Sequence, residues 1–215
     1  MLHSCNEYEL LVVKRNMEMK KVKIFIVLIS MCGFLSCSKD TRNQKIIIPK
    51  DTTNQKIIIP NGDFENWNLG SLQNWETNSC PMCVPPYETY IIKQDSSAYH
   101  GQYASKFIYN NVYTAWAQNK FSIPKHPSNL TSYVKCDLYG ADTVSIKIKL
   151  FYNGSIVDSG EWLGTSSIGN YKKIDITITQ NSSKVDTALI RIEGGHKLGY
   201  PNKNTEFWID YLILQ

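Results

Sequence analysis

Apolar and polar positions alternate along residues 144–150, Val-Ser-Ile-Lys-Ile-Lys-Leu, so a strand there turns its branched residues one way and its lysines the other. Residues 171–179, Tyr-Lys-Lys-Ile-Asp-Ile-Thr-Ile-Thr, keep the same period of two, and 188–192 keep it more weakly. Segments 87–93, 103–109, 112–121, 133–139 and 207–214 also read as strands. Turn-forming groups separate them: His100-Gly101, Asn110-Asn111, Gly140-Ala141-Asp142, Asn153-Gly154, Gly169-Asn170, Gly194-Gly195 and Tyr200-Pro201-Asn202. Short strands at this spacing, with no helical stripe among them, predict an all-β domain over residues 61–215. Its expected form is an antiparallel β-sandwich of the jelly-roll kind.

The first sixty residues break the pattern. A basic start, Lys20-Lys21-Val22-Lys23, leads into an apolar run over 24–35. That run is too short to cross a hydrocarbon core of ~30 Å as a helix and has the form of a signal peptide. It closes on Phe34-Leu35-Ser36-Cys37, which resembles a bacterial lipobox; the resemblance implies cleavage before Cys37 and a lipid attached to it. Residues 1–18 then read as sequence upstream of the true initiator, Met19, with 19–36 as the lipoprotein signal. Ser38 rather than aspartate after the cysteine resembles the Gram-negative pattern for an outer-membrane lipoprotein, on its periplasmic or its surface face. Within 37–60, Asn43-Gln44-Lys45-Ile46-Ile47-Ile48-Pro49 recurs unchanged as Asn54-Gln55-Lys56-Ile57-Ile58-Ile59-Pro60. Two copies are fewer than the three or so that a solenoid needs. The segment reads as a duplicated tether whose second Ile-Ile-Ile opens the domain, or as an edge strand that pairs with a partner.

Setting the first 36 residues aside lowers the formal charge from +4 to +2 and leaves only Arg42 and Arg191 as arginines. Forked guanidinium clusters that grip phosphates are missing, which argues against a nucleic-acid partner. The aromatic bias is stronger: every tryptophan, and every tyrosine but Tyr8, follows residue 60. Such residues fill β cores and also make binding platforms.

Three short motifs give the domain a likeness. Asn61-Gly62-Asp63-Phe64-Glu65 with Trp67 after it, His100-Gly101-Gln102-Tyr103-Ala104-Ser105-Lys106, and Trp208-Ile209-Asp210-Tyr211-Leu212-Ile213-Leu214 together resemble the galactose-binding-like β-sandwiches. That group includes carbohydrate-binding modules and putative carbohydrate-metabolism domains. The resemblance implies a structural calcium where the opening segment meets the last strand, with Glu65, Asp210 and Asp63 as carboxylate ligands and a backbone carbonyl near Lys106. Calcium takes six to eight oxygens, and carboxylates from the two chain ends would supply the charged part of that shell. Tyr211 stands where a second aspartate often follows in the group. The alternative is a cap in which Asp63 and Glu65 accept backbone amides and Asp210 ends a strand.

Sugar recognition in such modules uses aromatic rings laid against pyranose faces, with a few polar groups for the hydroxyls. The candidates here are Trp75, Tyr87, Tyr113, Trp116 and Trp162, with Gln118, Asn119 and Glu161 as hydrogen-bond partners. Each tryptophan has a competing place in the core. Cys80-Pro81-Met82-Cys83 has the spacing of a zinc half-site or a redox pair, but no second pair stands near it. In an exported chain it reads as a local disulfide or as two loop thiols. Cys136 alternates with Val134 and Leu138 and should face the core as a small hydrophobe. No nucleophile elbow, histidine-rich metal pair or phosphate loop appears. The expected function is therefore a non-catalytic, lipid-anchored protein that binds a glycan. An adhesion lipoprotein with an envelope protein as partner is the second reading, and a small glycan-active enzyme the third.

Overall fold

The computed structural model describes residues 56–83, 91–109, 114–195 and 205–215. The expectations for the upstream segment 1–18, the signal 19–36, lipidation at Cys37, the first copy of the repeat, Tyr87 and Tyr113 lie outside the described residues.

Twelve strands and no helix make up the described chain: β1 (Trp67–Asn68), β2 (Ser71–Leu72), β3 (Glu76–Thr77), β4 (Ile92–Asp95), β5 (Ala104–Ile108), β6 (Trp116–Ser122), β7 (Asn129–Asp137), β8 (Thr143–Tyr152), β9 (Ser155–Gly164), β10 (Ile168–Thr177), β11 (Thr187–Gly195) and β12 (Glu206–Leu214). Two five-stranded antiparallel sheets result. The front sheet runs β3-β6-β11-β8-β9 and the back sheet β10-β7-β12-β5-β4, while β1 and β2 form a small ribbon. From β5 onward the chain crosses repeatedly between sheets, with the β8–β9 hairpin as the one pause. This is the sandwich that the strand pattern predicts.

Alternation builds the core. Ile146, Ile148 and Leu150 of β8 join Ala188, Ile190 and Ile192 of β11 on the inner side of the front sheet, all fully buried. Phe107, Leu130, Val134, Phe207 and Ile209 belong to the same buried cluster from the back sheet, and the rings of Phe107 and Phe207 lie 5.7 Å apart. Each such side chain contributes about 1.5–3 kcal/mol on leaving water. Cys136 is buried among them as a free thiol, and burial pushes its pKa up. Lysines 147 and 149 occupy the opposite phase of β8, as their spacing predicts.

β9 is a strand that the apolar pattern does not announce. Asn153 and Gly154, both with positive φ, form a two-residue turn that returns β8 into β9. Gly160 faces inward where the neighbouring chain comes close, since a Cβ there would lie 2.7 Å from the Thr177 carbonyl. Asp158, also inward on β9, binds two loops: its carboxylate accepts from Thr179 Oγ1, the amides of Asn181 and Ser182, and His126 Nε2. Burial opposes that charge, but these donors outweigh it and hold the carboxyl at about 2.

At the start of the domain, Ile57 and Ile59 are buried while Ile58 is 84% exposed. The Ile57 amide donates to the Leu214 carbonyl at 2.9 Å, so the isoleucines of the second copy of the repeat start against the end of β12. Asn61, in the left-handed region that asparagine tolerates, ties the next turn. Its side chain donates to the carbonyls of Asn66 and Gln73 and accepts from the Asn66 amide. Cys80 and Cys83 are joined by a disulfide.

Candidate functional site

Strand register lays a row of polar side chains across the outer surface of the front sheet. Glu76, Gln118, Arg191, Lys147 and Glu161 are successive cross-strand partners on β3, β6, β11, β8 and β9. A parallel row two residues away reads Trp116, Glu193, Ser145 and Leu163. Arg191, Lys147 and Glu161 of the first row and all of the second, together with Thr114 and Thr143, line an open groove of about 800 Å³. The second row spans three strand spacings, about 14 Å.

Hydrogen bonds and ion pairs stitch the rows. Gln118 donates to Glu76 at 2.6 Å and accepts from Arg191 at 3.0 Å. Glu193 receives Arg191 Nε at 2.6 Å and Lys147 at 3.3 Å, and Lys147 also reaches Glu161 at 3.3 Å. The Arg191 guanidinium lies 4.5 Å from the Trp116 ring centre. Burial works against the Glu193 charge, but Arg191 and Lys147 overcome it and lower its pKa. Burial likewise works against the Lys147 charge, and the two glutamates raise its pKa despite it. At one end stands the indole of Trp116; at the other, Leu163 is 54% exposed.

Of the aromatic candidates, Trp116 lies in this groove. Tyr113 falls outside the described residues, beside Thr114, and Tyr87 is outside them too. Trp162 points the other way: it is opposite Ile146, packs on the core and covers Gly164. Trp75 is a core residue as well, with its ring against Phe64 and its indole N–H donating to the Asn61 carbonyl at 3.1 Å. Its aromatic face is thus taken by the fold. Glu161 lines the groove and Gln118 lies beside it, bonded to Glu76 and Arg191, whereas Asn119 is buried and donates to the Pro60 carbonyl. Arg191, Lys147, Glu193, Ser145 and Leu163 were not singled out from the sequence, because only the pairing register aligns them.

The three motifs of the resemblance meet on the other sheet. Asp210 accepts the amides of Tyr99 and His100 at 2.7 and 2.8 Å, and Glu65 accepts those of Gln102 and Tyr103 at 2.7 and 3.0 Å. Gly101 sits between them with φ +74°, and a Cβ there would run into the Glu65 carboxylate. A bulge in β12 after Asp210, with Tyr211 at φ 52°, resets the strand so that Leu212 and Leu214 still face inward. Burial pushes the Asp210 carboxyl above its usual range against the pull of these amides, and Glu65 adds to the rise.

This donor set does not fit calcium. Both carboxylates already take pairs of N–H groups, Asp63 is exposed, and Lys106 is paired through its backbone to strands on both sides. Among the described residues no group of three or more acidic, histidine or cysteine side chains is arranged to hold a metal ion. What remains, Asp210 Oδ1 without a partner and Glu65 Oε2 beside the oxygen that takes both amides, falls short of the six to eight oxygens needed. The cap, the alternative for Glu65, is what the geometry contains.

No protein-family model matches the chain, and no curated protein matches it. Solved structures do. The chain is similar to the carbohydrate-binding module TmCBM61, solved in complex with β-1,4-galactotriose, at 14% identity and TM-score 0.53, over 75% of this chain and 99% of that one. Looser matches are a family 16 carbohydrate-binding module (19% identity, TM-score 0.46, 73% of this chain and 98% of that one) and a cyclase from Fischerella sp. TAU (11%, 0.46, 74% and 96%). What the chain shares with TmCBM61 at 14% identity is the β-sandwich fold.

Proposed function

We propose that the chain is a non-catalytic carbohydrate-binding protein of the cell envelope that takes a glycan along the front groove. One observation carries the reading: an ordered row of hydrogen-bonding side chains lies beside Trp116 on the fold it shares with TmCBM61, which binds a galactose trisaccharide. Sugar hydroxyls both donate and accept, and Arg191, Lys147, Gln118, Glu161 and Glu193 supply both senses. The ion pairs within the row hold these groups in place before a ligand arrives, which lowers the entropy lost on binding. A general acid must stay protonated near neutral pH, whereas Arg191 and Lys147 beside Glu193 hold its carboxyl below the usual range. That pairing supports binding without catalysis. Lipidation at Cys37 and an outer-membrane location belong to the same reading and rest on the signal-like run before it.

Titrating the full chain with neutral galactan, xylan and β-glucan oligosaccharides, followed by tryptophan fluorescence, tests the groove. Trp116→Ala is expected to weaken binding about tenfold, or ~1.4 kcal/mol, at an unchanged thermal midpoint. A chain that binds no glycan at millimolar concentration, or a variant that binds as well as the parent, refutes the groove. Mass spectrometry of protein from membranes tests the anchor, which is wrong if Cys37 carries a free thiol.

A further inference from the structure

The outer face of the back sheet carries a second cluster with different chemistry. Tyr99 stacks on Tyr133 with ring centres 3.6 Å apart and planes 10° from parallel, and Tyr171 tilts against it at 6.0 Å. The Tyr171 hydroxyl donates to the Ser97 carbonyl at 2.6 Å, which fixes the loop from the opposite side. His100 stacks on Tyr211 at 4.3 Å. The amides of Tyr99 and His100 are held by Asp210, so the ring of Tyr99 is rigidly mounted, yet the residue is 47% exposed.

Two cations flank it. Lys135, two residues along β7 from Tyr133 and so about 7 Å from it on the same face, lies 5.3 Å from the Tyr171 ring and 4.2 Å from the Trp208 ring. On the other side Lys56 lies 4.7 Å from the Tyr211 ring. Lys106 and Lys173 on this face pair with Glu206 and Asp175, whereas Lys56 and Lys135 have no carboxylate partner among the described residues. Aromatic contacts leave an ammonium its full charge for an incoming anion.

We propose that this face is a second carbohydrate-binding surface, independent of the groove, that selects acidic glycans. A uronic-acid ring lies on the exposed side of Tyr99, and its carboxylate is met by Lys135, with Lys56 receiving the next acidic unit along the chain. The groove across the front sheet has its cations already matched by glutamates, so the two faces sort acidic from neutral sugars.

Calorimetric titration of the full chain with trigalacturonate, its methyl ester and β-1,4-galactotriose separates the surfaces. Trigalacturonate is expected to bind more weakly as salt rises, and at least tenfold more tightly than its ester. Tyr99→Ala and Lys135→Gln each weaken it at least tenfold, while Tyr99→Phe and Lys135→Arg retain it. Trp116→Ala changes galactotriose binding only. Near-ultraviolet circular dichroism confirms the fold of each variant, and Lys135→Gln, a half-exposed change, tests the idea even where Tyr99→Ala disturbs its loop. The proposal is overturned if the parent does not bind trigalacturonate at millimolar concentration. It is equally overturned if the ester binds as well as the acid, or if Trp116→Ala and not Lys135→Gln abolishes acid binding.

Discussion

Asp158 in the front sheet and Asp210 in the back sheet do the same job with unequal success. Each is a buried carboxylate that pins loop amides from within a strand. Asp158 satisfies both oxygens with four donors and stays charged down to about pH 2. Asp210 spends Oδ2 on two amides, leaves Oδ1 without a partner, and is raised by burial with Glu65 nearby. A buried charge stabilises only as far as its hydrogen bonds are complete. Asp158 therefore locks the sandwich, whereas Asp210 orders a surface loop and gives up stability to do so.

Truncation gives the largest separation between them. Asp158→Ala strands four donors, two of them backbone amides, and is expected to lose about 3–4 kcal/mol in urea unfolding. Asp210→Ala removes a destabilised charge together with its two amide contacts and should lose about 1 kcal/mol. It should nonetheless speed hydrogen exchange at Tyr99 and His100. Equal losses would break the comparison. Gly101→Ala comes next, at about 2 kcal/mol, because the new methyl needs both a strained φ and the space of the Glu65 carboxylate.

Acid titration follows in size and has opposite signs at the two sites. The Asp158 pKa is depressed on folding, so its stabilisation is present above its unfolded value near 3.8 and is lost as pH falls toward 2. The Asp210 pKa is raised, so its contribution is fullest in acid and is lost as pH rises through the folded pKa. Asp158→Asn should flatten the acid limb of a stability–pH curve. Asp210→Asn should gain on the parent as pH rises from 3 to 7, and a variant that falls behind instead would contradict the assigned direction.

The smallest expected effect is none at all. If the Glu65–Asp210 region is an amide cap, calcium or EDTA leaves the thermal midpoint in place. A specific calcium site at a hundredfold excess over Kd would add about 2.7 kcal/mol.

What could be read from the sequence follows the contrast between a strand's two sides. β8 shows its period because isoleucines alternate with lysines. β9 hides it, since its inward positions hold Asp158, Gly160 and Trp162 while Leu163 faces out. Counting outward from the Asn153-Gly154 turn would pair Lys147 with Gly160. A bulge between Leu150 and Phe151 shifts the register by one and brings Glu161 beside Lys147 instead. The polar row of the groove was therefore invisible before pairing was known, although Trp116, Gln118 and Glu161 had each been marked. The motifs at 61–67, 100–106 and 208–214 were legible as a group that meets in space. That they meet through amide hydrogens rather than a cation depends on how residues 99–103 turn their N–H groups, which no residue pattern announces.

The segment that opens the domain also has a mechanical meaning. Its described contacts to the end of β12 include one backbone hydrogen bond, Ile57 to Leu214, and the burial of Ile57 and Ile59, with Pro60 held by Asn119. Tension arriving from the chain before Lys56 would load these contacts before it reached the multi-bond ladders of either sheet. Their release would free about 17 Å of chain, the span of five extended residues. Stretched from that end, the isoleucine segment would be expected to come away while the ladders of the sandwich stay paired.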